Sequence, residues 1–520
     1  MLLFGKTFVK NPCLFAALKK NLFSLRNNPS HRFINLSQKT IIEPHMEDII
    51  IIGGGAVGAF IARNLSRYDC DVLVIEKEND VGDATSMANS AIVHSGYDPV
   101  PGTKKARFNV EGNRMFPLLS EELDVEFEPC GSLTLATEES QLPMLEELYK
   151  RGQENGVPVE ILTPEQVLAL EPNVTKDVKG ALRCPTAGII NPFTLVAHAF
   201  ENAIDNGVKL HLGEEVKDIH NLGDRFEVIT SKGAYQAKMV INAAGVASEQ
   251  IAKMIEDVPW SIHARKGEYF VLDHFAPNFV NHVLFPLPSE KGKGVLVTHT
   301  TSGNYLVGPS SEWVDDKDDT STDSPTLEAV RASALTMVPN IPFRQQIRTF
   351  AGLRSTPSTH DFIIEPSKAA PNFINVAGIE SPGLVSSPAI GKYVAEELVA
   401  PKLGLKEKAN YNPRVRKYVC VHKLSQEGKE RLVAENPHFG EMICNCEKIS
   451  LGEIEDVLSR SLPALTIKAI KKRTRAGFGK CQGGFCQPKV LFLLAKKLGV
   501  SPMEVLYDRE GSEILDKESK

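Results

Sequence analysis

Four cysteines toward the C-terminal end stand in two pairs, Cys444-x-Cys446 and Cys481-x4-Cys486. Four thiolates are a metal-binding set, suited to either a [2Fe-2S] cluster or a zinc ion. Gly477, Gly479, Gly483 and Gly484 allow backbone N–H groups to approach the sulfurs. Lys471, Lys472, Arg473 and Arg475 precede the second pair, and their charge would either favour deprotonated thiols or form a solvated helix end. The other five cysteines, Cys13, Cys70, Cys130, Cys184 and Cys420, are scattered. Nine in 520 residues is not a disulfide framework.

A second constellation lies near the other end. Gly53, Gly55 and Gly58 form G-x-G-x-x-G after an apolar run. The first glycine permits a tight turn, the second a close backbone approach to a diphosphate, the third close helix–strand packing. The diphosphate would rest on free N–H groups at the positive end of the following helix. Glu76 closes a second apolar run, where an acid is expected to hold a ribose hydroxyl. Thr85 and Ser86 follow in a stretch of small residues suited to an extended cofactor. Glu76 alone fits the ribose of either FAD or NAD.

These residues need elements to hold them. Residues 49–52 and 72–75 read as buried parallel strands around a helix over 56–67, a β-turn-α-β unit. Helices are expected over 118–122, 142–155, 193–206 and 389–399. Short strands are expected over 208–213, 214–219, 226–230, 239–242 and 373–377. Residues 269–273, 294–299 and 305–308 look like strands of a second, largely antiparallel sheet, and 315–323 like an acid-rich loop. Residues 401–440 lack a clean period and read as a connector. Ser450 and Glu453 fit a capping box that opens a helix between the cysteine pairs.

Three segments carry a family resemblance. They are residues 81–86, residues 239–245 with Ala244 and Gly245, and residues 378–384 with Gly378, Gly383 and Leu384. Together they resemble the FAD-dependent superfamily of glycerol-3-phosphate dehydrogenase, L-2-hydroxyglutarate dehydrogenase and D-amino-acid oxidase, over roughly 47–400. The resemblance implies FAD, and a helix end after Gly383 placed to stabilise charge on the reduced flavin. It implies an α/β fold, a Rossmann-like two-dinucleotide FAD-binding fold interleaved with an α+β antiparallel-sheet substrate domain. FAD-binding parts are then expected at about 46–125, 190–258 and 345–400, and substrate parts at about 126–189 and 259–344.

The same resemblance assigns the pocket. Residues 88–97 resemble the segment beneath the flavin, which makes His94 the candidate base. Residues 350–354 resemble a Gly-x-Arg segment, which makes Arg354 the anion holder. Residues 265–269 resemble a pocket-lining strand, with Lys266 or Tyr269 reaching substrate. The Lys and Arg that bacterial glycerol-3-phosphate dehydrogenases carry in the segment at 378–384 are absent here, which leaves a carboxylate substrate open. Residues 473–486 resemble a bacterioferritin-associated-ferredoxin-like domain, a small helical four-cysteine module over 441–510, and this favours [2Fe-2S] over zinc. The implied activity is oxidation of glycerol 3-phosphate, with electrons leaving through the cluster to an acceptor protein or a quinone-linked partner. L-2-Hydroxyglutarate or another 2-hydroxy acid is the alternative substrate. A non-catalytic electron-transfer or assembly subunit is the alternative class.

Composition sets outer bounds. A net charge of −6 argues against a general nucleic-acid binder. No apolar run reaches the roughly 18 residues of a membrane span. Residues 1–42 carry seven Lys or Arg and no Asp or Glu. Such a basic, acid-free stretch resembles an organelle leader over 1–45, addressed to the matrix of a mitochondrion or a mitochondrion-related organelle.

Overall fold

The apolar run Met46–Ile52 lies inside an eight-stranded sheet, with Val72–Ile75 on one side and Ala234–Asn242 on the other, both parallel to it. A strand buried on both faces has to be apolar at every position. Ile49 and Ile51 pack into one core with Phe60, Leu65, Phe200 and Ile390, while Ile50 and Ile52 join another with Val240 and Phe373. Phe373–Ala377 pairs parallel with the far edge of Ala234–Asn242. A computed structural model of the protein describes residues 46–288 and 294–517. The expected leader at 1–45 lies outside the described residues.

The helix expected over 118–122 is the end of a longer one, Lys104–Glu122, capped by the Thr103 hydroxyl, which accepts the Ala106 N–H. Gly112 and Pro117 disguise it in the sequence. Gly112 marks a close crossing: a Cβ there would lie 2.0 Å from the Val385 carbonyl oxygen of the helix Gly383–Tyr393.

A nine-stranded sheet, antiparallel except for the pair Ser132–Ala136 and Val283–Pro286, forms the second layer. Its central ladder joins Ile262–Leu272 to Gln346–Pro357 along their whole length. The long alternating strand Gln346–Pro357 belongs to this sheet, and the chain re-enters the first sheet at Ile363–Pro366.

Near the C-terminus, Leu451–Leu458, Ile467–Thr474 and Gln487–Leu498 enclose a small core of Ile454, Ile470 and Leu494. The Ser450–Glu453 capping box is present. The basic run divides: Lys471 keeps an electrostatic contact with the Cys486 thiol, while Lys472 and Arg473 turn to another partner. Arg473 binds Asp80 at 2.7 Å and Lys472 binds Asp80 at 2.6 Å, both buried against the loop that follows Glu76. Burial works against the Asp80 carboxylate, but the two cations hold it below its ordinary range. A second seam runs along the helix Pro192–Asp205: Arg460 pairs with Glu201 at 2.8 Å, and Tyr418 stacks on His198 at 3.9 Å. Residues 401–440 thus contribute a docking residue as well as a connection.

Candidate functional site

The glycine turn has the backbone geometry its spacing demands. Gly53 takes a φ of +110°, and a Cβ on it would lie 2.4 Å from the Ala243 carbonyl oxygen. A Cβ on Gly58 would lie 2.0 Å from the Gly53 oxygen. Glu76 accepts the N–H groups of Gly54 and Glu78. Burial raises its carboxyl above the usual range against those two hydrogen bonds. A carboxylate has about four acceptor sites, so capacity remains for a ribose diol. The Ser86 hydroxyl accepts the Ala56 N–H at 2.9 Å, and the Thr85 hydroxyl donates to the Leu353 carbonyl at 2.6 Å.

From this turn a cavity of about 660 Å³ runs between the two sheets. Gly55, Thr85, Ser86, Gly245, Gly383 and Leu384 line it, together with His94 and Arg354. Gly53, Gly58, Glu76, Ala244 and Gly378 do not line it. Gly378 has a φ of +66° and packs on Pro357. The free N-terminus of Gly383–Tyr393 opens on the cavity. A glycine turn at a helix start and a second helix end on one cavity, with a ribose-type acid held against the turn, fit an extended flavin dinucleotide.

The substrate end is built by cross-strand pairing. Arg265 stands opposite Arg354, Gly267 opposite Gly352 and Tyr269 opposite Phe350. Two like charges directly opposite repel, so the pair requires anions. Arg265 has one: Glu380 at 2.8 Å. Glu380 also binds Lys105 at 2.8 Å and accepts the Thr356 hydroxyl at 2.9 Å. Burial raises the Glu380 carboxyl, but Lys105 and Arg265 outweigh it and hold the group low. Arg354 donates to the Ser310 carbonyl at 3.2 Å and forms no ion pair with any described residue. Burial lowers its affinity for a proton, and nearby Arg265 adds to that. Gly267 makes room for it, since a Cβ there would lie 2.6 Å from a guanidinium nitrogen.

His94 faces the same space, its ring 5.8 Å from that of Phe285. Its carbonyl accepts from Asn109 at 2.7 Å and Asn113 at 3.1 Å, which fixes the backbone beneath it. Tyr269 stacks on Phe350 at 4.6 Å and shares a hydrogen bond with Ser90 at 2.9 Å.

Lys266 is a correction. Strand alternation sends Arg265, Gly267 and Tyr269 toward the cavity and Lys266 to the opposite face. There it binds Asp319 at 2.8 Å and lies 3.7 Å from the buried Glu268. Lys105, Arg265 and Glu380 are the residues sequence reasoning missed as functional. The period-two pattern of the strand would have selected Arg265 over Lys266. Nothing local marks Lys105, which sits on a helix remote in sequence.

In the cysteine module Cys446 and Cys481 bring their sulfurs within 3.6 Å, and Cys444 hydrogen-bonds Cys486. Two thiolates on one tetrahedral metal, at about 2.3 Å each, lie roughly 3.7 Å apart. The Cys446–Cys481 approach therefore matches two thiolates on one tetrahedral metal, a geometry that a [2Fe-2S] cluster and a zinc ion share. The Cys486 bond lowers the Cys444 thiol to about 6, against burial. Gly477 and Gly483 have φ of +98° and +93°, which lets the loop fold over the sulfurs.

Comparison with known proteins agrees with this geometry. A model of FAD dependent oxidoreductases matches residues 48–397, and a BFD-like [2Fe-2S] binding domain matches residues 442–496. A glycerol 3-phosphate dehydrogenase from Caloramator mitchellensis is 45% identical over 91% of this chain and 99% of its own length. A glycerol 3-phosphate oxidase from Mycoplasma genitalium is 33% identical over 70% of this chain and 97% of its own. The solved structure of an L-alpha-glycerophosphate oxidase from Mycoplasma pneumoniae, with FAD bound, superposes with a TM-score of 0.68 at 28% identity, covering 71% of this chain and 98% of that one.

Proposed function

This chain belongs to the family of FAD dependent oxidoreductases, and on that premise we propose that it oxidises glycerol 3-phosphate to dihydroxyacetone phosphate. It is an FAD-dependent oxidoreductase acting on a CH–OH group, with a BFD-like [2Fe-2S] domain at its C-terminal end. When bound, FAD supplies a hydride acceptor and the cluster a one-electron outlet toward an external acceptor. Gly53, Gly55, Gly58 and Glu76 would hold the dinucleotide; Cys444, Cys446, Cys481 and Cys486 would hold the cluster.

The observation that carries the substrate assignment is the Arg265–Arg354 pair. Arg354 is a buried guanidinium with no carboxylate partner among the described residues, and it faces the cavity beside His94. A bidentate oxyanion is its natural complement. Lys105 and Arg265 supply the cations that the segment at 378–384 lacks. In this reading Arg354 binds and orients the phosphate, so that the secondary hydroxyl is presented to His94. The neutral imidazole takes the hydroxyl proton as the C–H bond breaks. The Asn109 and Asn113 amides keep the histidine backbone in place.

The test is anaerobic bleaching of the bound flavin in residues 46–520. Glycerol 3-phosphate should bleach the absorption band, and L-2-hydroxyglutarate should not. Bleaching by the hydroxy acid alone overturns the substrate assignment; no bleaching by either favours an electron-transfer subunit. Residues 1–45 are proposed to direct the chain to a mitochondrion or related organelle, and a fluorescent fusion of that stretch that stays diffuse would refute it.

A further inference from the structure

We propose that the face of the cysteine module carrying Lys480, Phe485, Lys489, Phe492 and Lys496 docks a small acidic one-electron carrier protein. The proposal rests on the reading that electrons leave the chain through this module.

Two large aromatic side chains of the cysteine module stand in solvent: Phe485, next in sequence to Cys486, is 81% exposed and Phe492 is 61% exposed. Cys446, whose sulfur lies 3.6 Å from that of Cys481, is exposed as well. Lys489, Phe492 and Lys496 share one face of the helix Gln487–Leu498, at i, i+3 and i+7. Phe485 lies just before that helix, and Lys480 precedes Cys481.

The charge pattern names the partner. Residues 457–503 contain no Asp or Glu, in a chain whose net charge is −6. Arg460, Lys472 and Arg473 from that stretch are consumed by Glu201 and Asp80. Arg475 is consumed by Glu447. Lys480, Lys489 and Lys496 are exposed and pair with no described residue. An acidic protein would be repelled by most of the surface and drawn to this patch, which fixes its orientation. Aromatic anchors ringed by charge are the usual core of such interfaces. A membrane surface fits less well. Interfacial helices segregate their charges from their apolar face, and here Lys489 sits on the same face as Phe492.

The test uses the holoenzyme, with FAD and cluster in place. An acidic plant-type ferredoxin is the probe in titration calorimetry, and a basic cytochrome c is the control. The ferredoxin should bind, the cytochrome should not, and the affinity should fall as salt rises. The double variant Lys489→Glu/Lys496→Glu should weaken binding by roughly tenfold or more, and Phe492→Ala should weaken it independently of salt. Both variants should keep the visible spectrum of the cluster and the substrate-driven bleaching of the flavin. Glycerol 3-phosphate that bleaches the flavin but leaves the cluster oxidised would instead overturn the reading on which the proposal rests. No ferredoxin binding, or binding that the variants leave unchanged, overturns the docking face. Co-sedimentation with phosphatidylserine vesicles that Phe492→Ala abolishes assigns the face to a membrane and likewise overturns it.

Discussion

Two clusters in this molecule share a central arrangement and have opposite consequences. At the seam, Asp80 is held by Arg473 and Lys472. At the cavity, Glu380 is held by Arg265 and Lys105. Each is one carboxylate between two cations. The seam cluster is closed: Asp83 adds a second acid, so every cation has a partner. The cavity cluster is open, because Arg354 stands across the ladder from Arg265 with no acid of its own. A balanced cluster joins two parts of the chain. A cluster left one anion short is a binding site. Composition alone does not separate the two; the count of charges within reach of each other does.

The largest effect is expected at the closed cluster. Arg473→Met leaves Asp80 buried with only Lys472, a change that typically costs about 3–5 kcal/mol. Chemical denaturation should resolve into two transitions, the cysteine module releasing first, while substrate still bleaches the flavin. The sign with pH follows from the depressed Asp80 carboxyl. The stabilisation is fully present above the ordinary carboxylate value of 3.8 and is lost as pH falls below it. The Asp80 contribution should therefore be flat near neutrality and lost steeply in acid, a loss that the variant lacks, while Asp83, which burial pushes up to about 7, takes stability away as pH rises toward that value. A single transition in Arg473→Met would mean that the Arg460–Glu201 seam holds the module unaided.

The open cluster should respond the other way. Arg354→Met removes the cation that binds the anion and also removes the repulsion from Arg265. The flavin-reduction efficiency should fall by roughly 10²- to 10³-fold, while the melting temperature holds or rises. A fall in both would show that Arg354 is part of the scaffold and dissolve the contrast between the clusters.

Glu380→Gln sharpens the contrast with a smaller effect. It keeps the shape and the hydrogen bond with Thr356 but adds one unit of positive charge to the cavity. Inorganic phosphate should then inhibit more strongly, by roughly five- to tenfold at low ionic strength. Unchanged inhibition would place Lys105 and Arg265 beyond the reach of the bound anion.

The sequence was most legible where function is local. The turn from Gly53 to Glu76 is one contiguous unit, and the backbone constraints on Gly53 and Gly58 act between neighbours or adjacent strands. The cysteines were legible for the same reason, since each pair sits in one loop. The cavity was legible only in part. Arg354 and His94 were reached through resemblance, but Lys105 and Glu380 meet across 275 positions of the chain, and no local pattern announces that contact. The basic run at 471–475 was legible only at Lys471, because the partners of Arg473 and Arg475, Asp80 and Glu447, lie on other segments. Of the helix Lys104–Glu122 the sequence marks only the last turn, and Gly112 inside it serves a crossing that exists only in the folded protein.

The smallest expected effect belongs to the residue that sequence placed in the pocket and the fold removes from it. Lys266 carries the same charge as Arg265 and lies next to it, yet its amine is committed to Asp319 on the far face. Its pairing is half in water, since Asp319 keeps 30% of its side chain exposed. Lys266→Met should lower stability by about 1–2 kcal/mol, chiefly by stranding the buried Glu268. Glu268 already titrates high because of burial and can respond by taking up a proton. Flavin reduction by glycerol 3-phosphate should change by less than about twofold, because no transition-state contact is removed. A loss as large as that of Arg354→Met would mean that the strand turns its other face to the substrate in solution, and the charge count that separates the two clusters would have to be redone with Lys266 on the cavity side.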